Sequence, residues 1–395
     1  MRLCWLLPSD KSGGISPVVL SCCRQAARAG HQATMLLLHE PTWIKSGSFK
    51  VSSLGLKAGV ADTPKILGEW LKDNPQDVVL FNSCDEFDVI IPYLPSTTKC
   101  IYVVHDTAAI YWKKALSEES NLEAIIAVSE NVAGKFRHLL KEPEKLSIIY
   151  NGCVFPELQI SNAERNDDLV FLGGDNPSKG AFDILSLWKA LHGTGFKGDL
   201  QWFGNISPNF INRIKALPNS EKIHIHGHVS RDLIFSTAAS SKVILMLSRA
   251  ESFGMVTVEA MGMGCVPVAW DLEIGTKEIV SANKTGLFAP LGDIKALAKQ
   301  IVYACENYQK FEAQVIERAR KDFNEDIMWQ GYQLLIERIA NLQPINRSKQ
   351  NEEPPKFERP VRRFQFLPAS LRSTIREFVG RSPVLGYWLR DKRGW

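Results

Sequence analysis

The stretch SRAESFGMVTVEAMGMGCVPVAWD, residues 248–271, decides how the rest of the chain reads. An apolar, β-rich run (243–247) leads into it, and a short loop with Glu251, Phe253 and Gly254 follows. A helical pattern through Val256, Glu259, Ala260 and Met263 closes at Gly264, and a second apolar run, 265–269, begins at once. Strand, loop, helix and strand in so few residues form the βαβ unit of a parallel sheet. The loop then lies at the carboxyl end of a strand, where such sheets bind ligands. From about Gly254 onward, the first-turn N–H groups of the helix carry its partial positive charge, and a diphosphate suits them.

Two carboxylates in a phosphate site are unexpected unless they hold uncharged groups. Glu251 precedes the N–H donors and Glu259 follows on the helix. Sugar and ribose hydroxyls would suit them, and a nucleotide-sugar supplies both hydroxyls and diphosphate. The plain alternatives are a helix-start carboxylate favoured by the dipole for Glu251 and an exposed helix residue for Glu259. The second is weak, because Val258, Ala260 and Met261 leave little exposed face.

Glu251-Ser-Phe-Gly-Met followed by Glu259-Ala-Met-Gly-Met-Gly-Cys-Val-Pro267 resembles the signature loop of retaining glycosyltransferases of family 4, which have the GT-B fold. The resemblance runs over roughly residues 2–340 and is strongest in the second half. It implies that Glu251 contacts the donor sugar, that Glu259 holds the nucleotide ribose, and that the backbone of Phe253, Gly254 and Met255 meets sugar and phosphates.

With 395 residues the chain is too long for one ordinary core and suggests two domains. Its 45% apolar composition is that of a globular protein, and no run approaches the roughly 18 apolar residues of a membrane span. The N-terminal apolar run stops at Pro8 and reads as a first strand, not as a secretory signal. Eight cysteines are scattered without a C-x-x-C pair, which argues for buried thiols in a reducing compartment. A cytoplasmic location is the expectation. The net charge of +4 divides unevenly: residues 356–395 carry ten basic and three acidic side chains, leaving a mildly acidic body.

The first half alternates strands and helices. Strands are expected at 3–7, 33–38, 78–81, 99–104, 124–128 and 146–150, and helices at 17–29, 63–72 and 131–141. A polar break at 151–168 separates this from a second half with strands at 169–172, 200–203, 222–226, 242–247, 266–269 and 286–289. The expected architecture is α/β, with two doubly wound Rossmann-like domains: 1–155 for the acceptor, 165–322 for the nucleotide-sugar, a crossing helix at 323–342, and a linker with a basic amphipathic tail at 343–395. In the GT-B arrangement that the resemblance implies, the two halves face a cleft.

Several further candidates sit at strand ends. Gly13-Gly14 after the first strand lets a ligand approach the backbone. It lacks the dinucleotide fingerprint spacing, and the resemblance places Gly14 at the donor phosphates. His105 ends the strand 100–104 and could donate to a sugar hydroxyl or to developing charge, and the family has a His there. Lys179, in GGDNPSKG, is a point charge suited to a diphosphate. The family pairs such a Lys with an Arg at the position that is Gly174 here, so Arg249 becomes a candidate substitute cation. His224, His226 and His228 alternate along a strand, which hints at metal, yet no companion ligand stands at diagnostic spacing. No metal site is expected, and the resemblance sets Val229 near the base.

The tail combines Leu371, Ile375 and Phe378 at helical spacing with Arg372, Arg376, Tyr387 and Trp388. That composition suits an anionic membrane surface or a protein partner. No recognition motif for nucleic acid accompanies the charge. The resemblance implies sugar transfer from a nucleotide-diphosphate donor to a glycan or lipid-linked acceptor, with retention and with no cofactor or catalytic metal. Glu251, His105 and Lys179 are the candidate catalytic residues. A non-catalytic nucleotide-sugar or glycan-binding relative, and a peripheral-membrane scaffold of a glycan assembly complex, are the alternatives.

Overall fold

The computed structural model describes residues 1–11, 13–157 and 165–358. Ser12, part of the polar break, and the amphipathic tail lie outside the described residues. The chain divides into two compact α/β units, Met1–Val154 continued over 325–358, and Phe155–Asn324.

Unit 1 holds a seven-stranded parallel sheet of β1 (Arg2–Leu7), β2 (Gln32–Leu37), β3 (Lys50–Ser53), β4 (Val78–Phe81), β5 (Lys99–Val104), β6 (Ala124–Ala127) and β7 (Leu146–Ile148). The order is β3-β2-β1-β4-β5-β6-β7. β4, β5 and β6 are buried at every residue, as strands covered on both faces must be. β3 was not foreseen, because Lys50-Val-Ser-Ser53 is a polar, partly exposed edge without an apolar run. The single helix expected at 131–141 is instead a turn of helix, Glu130–Ala133, capped by Ser129, and a separate 3₁₀ turn, Arg137–Leu139. Between them Phe136 leaves helical geometry at φ −139° to bury its ring completely.

The helix Glu325–Ala340 belongs to unit 1, where it lies against the helix Ile15–Arg28. Ser21 donates to Glu325, and Gln25 Nε2 donates to Asp326 Oδ1 at 2.6 Å. Residues 343–357 do not run free as a linker. Arg347 is buried beside a buried Glu123, its Nη2 2.9 Å from Oε2, and it also donates to the carbonyls of Asn121, Pro95 and Thr98. Phe357 N, farther on, donates to Ala61 O at 2.7 Å. Arg347→Lys keeps the charge but cannot serve four acceptors in a fork. It is expected to cost unit 1 about 2 kcal/mol, read as a lower denaturant midpoint for the full chain. An unchanged midpoint would mean the fork contributes nothing.

Unit 2 holds a six-stranded parallel sheet of β8 (Asn166–Leu172), β9 (Leu200–Phe203), β10 (Ile223–Gly227), β11 (Ser241–Met246), β12 (Val266–Trp270) and β13 (Leu287–Ala289). The order is β10-β9-β8-β11-β12-β13. The chain leaves β8 for β9 on one side and enters β11 on the other. That reversal of strand order marks where ligands bind in such sheets. Among the described residues no helix is long and apolar enough to cross a membrane.

Candidate functional site

In unit 2 the loop after β8 is bound to the loop after β11. Gly180, at φ +85°, has no room for a side chain, because a Cβ would lie 2.4 Å from Leu247. Arg249 N then donates to Ser178 O at 2.9 Å. This contact brings Lys179, at the end of the 3₁₀ turn Pro177–Lys179, onto Glu251: Nζ is 2.6 Å from Oε2, which also accepts from Ser248 Oγ at 3.3 Å. Glu251 is 16% exposed and Lys179 37%, so the carboxylate sits deep and the ammonium at the rim.

Gly254 opens the helix Met255–Gly262 at φ +110°, a backbone that side chains rarely adopt. Its turn leaves the N–H groups of Met255 and Val256 without helical acceptors. Phe253 is 2% exposed and packs edge-on against Phe323 with ring centroids 5.6 Å apart, so its ring is core. Only its backbone remains for a ligand. Gly275 N holds the same loop from the far side through Glu251 O at 2.9 Å.

Glu259 is one turn further on, 14% exposed, and Arg231 Nη2 donates to its Oε1. Burial pushes its carboxyl up, and the guanidinium opposes that shift. Val229 precedes Ser230, which caps the helix Arg231–Ser240 and so points Arg231 toward Glu259. Arg231 was missed: nothing in its local sequence marks a partner 28 residues away.

Arg249 is not a spare cation. It forms a two-pronged pair with Asp183, which also accepts from Trp270 Nε1 at 2.9 Å. At Gly174 the missing Arg has a steric cause. Its φ is +54°, and a Cβ there would lie 2.3 Å from Asn205 O. His224 and His226 are engaged by their neighbours on β9's side, Asp199 Oδ2 at 2.7 Å and Gln201 Oε1 at 2.8 Å.

In unit 1, Gly14 is the exposed N-cap of the helix Ile15–Arg28, and Gly13, at φ +54°, makes the turn. His105 follows β5, and burial pushes its imidazole down to about 4. Asn82 Nδ2 donates to Leu6 O and Leu80 O at 3.2 Å each, so its Oδ1 accepts from His105 Nε2 at 2.9 Å. This fixes a neutral ring whose remaining Nδ1 is an acceptor. The role expected for His105 therefore changes: it would take a hydroxyl's hydrogen bond, not give one.

Two carboxylates, each with a cation, beside an open helix start form a place for a polyhydroxylated anion. Residues 157–322 match the sequence model of glycosyl transferases group 1. The group 1 match thus falls on the unit that holds Lys179, Glu251 and Glu259. Relatives include an uncharacterized glycosyltransferase of Methanocaldococcus jannaschii, 27% identical over 58% of this chain and 64% of its own length. N-acetyl-alpha-D-glucosaminyl L-malate synthase of Bacillus anthracis is 24% identical over 51% of this chain and 55% of its own. A GDP-mannose:cellobiosyl-diphosphopolyprenol alpha-mannosyltransferase of Xanthomonas oryzae is 25% identical over 48% and 51%. The chain thus spans between 51% and 64% of the length of these relatives.

Among solved structures, Anabaena HepE in complex with UDP superposes with a TM-score of 0.71 at 17% identity, over 86% of this chain and all of that one. WaaG, a glycosyltransferase involved in lipopolysaccharide biosynthesis, gives 0.64 at 16%, over 85% of this chain and 98% of its own. The shared fold is GT-B, two α/β domains.

Proposed function

We propose that the chain is a retaining glycosyltransferase of the family 4 kind. It takes a sugar from a nucleotide-diphosphate donor to a glycan or lipid-linked acceptor and uses no catalytic metal or other cofactor. The observation that carries this reading is the 2.6 Å pair of Lys179 and Glu251 at the open start of the helix Met255–Gly262. A donor diphosphate would draw the Lys179 ammonium and the N–H groups of Met255 and Val256, releasing Glu251 to the sugar hydroxyls. Glu259 would accept from the ribose, with Val229 lending backbone to the base. In the reaction the anomeric carbon loses its bond to the diphosphate and gains one to the acceptor oxygen on the same face. The acceptor's proton passes to the departing phosphate oxygen. Lys179 and the helix N–H groups stabilise the charge that develops there.

The test is thermal stabilisation by a panel of nucleotide-sugars and bare nucleotides, followed by hydrolysis of any donor that binds. A ligand at 100 times its Kd should add about 2.7 kcal/mol of stability. Glu251→Gln should keep nucleotide binding and lose turnover about 100-fold. Binding without turnover in the parent chain would favour the non-catalytic reading, which the glycine at Gly174 recommends. No binding at all would sink the proposal.

A further inference from the structure

The connection from β2 to β3 has no helix, and one buried carboxylate holds it. Asp10, 2% exposed, accepts from the backbone N–H of Thr42 at 2.6 Å, Trp43 at 2.8 Å and Ile44 at 3.3 Å, and from Thr42 Oγ1 at 3.0 Å. Burial opposes its ionisation, yet these donors together hold its carboxyl below the usual range. The Asp10 carbonyl takes the indole N–H of Trp43 at 2.8 Å. Ile44 and Phe49, 5% and 7% exposed, anchor the loop to the core.

What this clamp holds out is Trp43, a residue 51% exposed and the one tryptophan among the exposed large apolar residues of the described chain. Scattered exposed apolar side chains are ordinary. An indole whose N–H is spent inward and whose backbone is bound at three successive N–H groups is different. It presents a flat apolar face at little further entropic cost on binding. It also stands at the carboxyl ends of β1 and β2, on the loop that Asp10 joins to the Gly13–Gly14 turn, which is the ligand-binding edge of a parallel sheet.

We propose that Trp43 is a stacking platform for a pyranose ring of the acceptor glycan. A pyranose offers one face of C–H groups to an indole and keeps its hydroxyls at the rim. Lys11, which follows Asp10, and Lys45, two residues after Trp43, are exposed and offer polar partners for such a rim. This assignment rests on the sugar-transfer reading above and names the acceptor's chemistry.

The test uses the full chain labelled with 5-fluorotryptophan, the Trp43 resonance being assigned by its loss in Trp43→Phe. Cellotetraose and N,N′-diacetylchitobiose are titrated separately, with UDP and GDP as the nucleotide arm. The expected result is a saturable shift of the Trp43 resonance by at least one oligosaccharide. Trp43→Ala should weaken that binding about tenfold, and Trp43→Tyr should stay within about threefold of the parent. Nucleotide binding should be unchanged in both. The platform is overturned if oligosaccharides bind without moving the resonance, if Trp43→Ala binds as well as the parent, or if neither sugar binds at about 20 mM, a concentration that detects even millimolar affinity. A shift caused by anionic phosphatidylglycerol vesicles and by no sugar overturns it too, and marks an interfacial anchor. Saccharide binding at Trp43 with no nucleotide binding leaves the platform standing and removes the transferase reading.

Discussion

If the chain transfers sugar as proposed, Lys179→Ala is expected to lower that transfer by about 100- to 1,000-fold, mostly in kcat, the range found when one preorganised donor is removed from a developing oxyanion. Two features put the value at the upper end. The Arg that the family resemblance expects beside this Lys is Gly174 here, and Arg249 is consumed by Asp183. Lys179 is therefore the cation that the described geometry sets on Glu251 ahead of the helix Met255–Gly262, while Arg231 is engaged by Glu259. Its removal also leaves Glu251, 16% exposed, with a hydroxyl from Ser248 in place of an ammonium. Lys179→Arg should recover part of the loss, because charge returns on a different shape. The check is kcat and KM with the donor found by thermal shift, alongside circular dichroism to show that the fold persists. A Lys179→Ala enzyme within threefold of the parent would mean that backbone N–H groups alone hold the leaving group.

The positions of these residues were legible in the sequence, and their partners were not. Strands such as Val78–Phe81 and Lys99–Val104 are covered on both faces, so they appear as apolar runs that no other element explains. Their alternation with helices fixes a parallel sheet, and the parallel sheet fixes where loops carry ligands. This is why Lys179, Glu251 and His105 could be named as strand-end or loop residues from the sequence, and Glu259 as a residue of the helix that follows. Their partners could not. Asp183 is 66 residues from Arg249, Glu259 28 from Arg231, and Glu123 224 from Arg347. Such pairs depend on strand order and on how far each helix projects, which local pattern does not encode. The same limit hid Asp10. An acidic residue in a loop reads as solvated, and only the return of the β2–β3 connection over the β1 loop supplies the three N–H groups that bury it.

Gly174→Arg restores the residue the family resemblance expects, and it is expected to destabilise unit 2 by about 2–5 kcal/mol without raising turnover. A non-glycine residue at φ +54° costs roughly 1–2 kcal/mol of backbone strain. The larger contribution comes from packing. A Cβ at Gly174 would stand 2.3 Å from Asn205 O and 3.0 Å from Asn205 N, both backbone atoms. From the other side, a Cβ on Gly204 would meet Gly174 N at 2.5 Å, so the two glycines are seated on each other. The loops cannot part cheaply. Trp202 Nε1 donates to Gly174 O at 3.0 Å, Asp175 N to Asn205 O at 3.1 Å, and Ser207 N to Asp175 Oδ2 at 2.9 Å. Making room for Cβ breaks some of these bonds or displaces Trp202, a fully buried side chain, and overpacking of that sort costs about 1–3 kcal/mol more. Gly174→Ala should show most of the same loss, since the conflict begins at Cβ and not at the guanidinium. Denaturant melts of both variants decide the matter. A stable Gly174→Arg chain with faster transfer would show that the loop accepts the arginine and that its absence limits the parent enzyme. A destabilised one assigns the glycine to the packing of the two loops, and on the proposed reading the diphosphate falls to Lys179 and the helix.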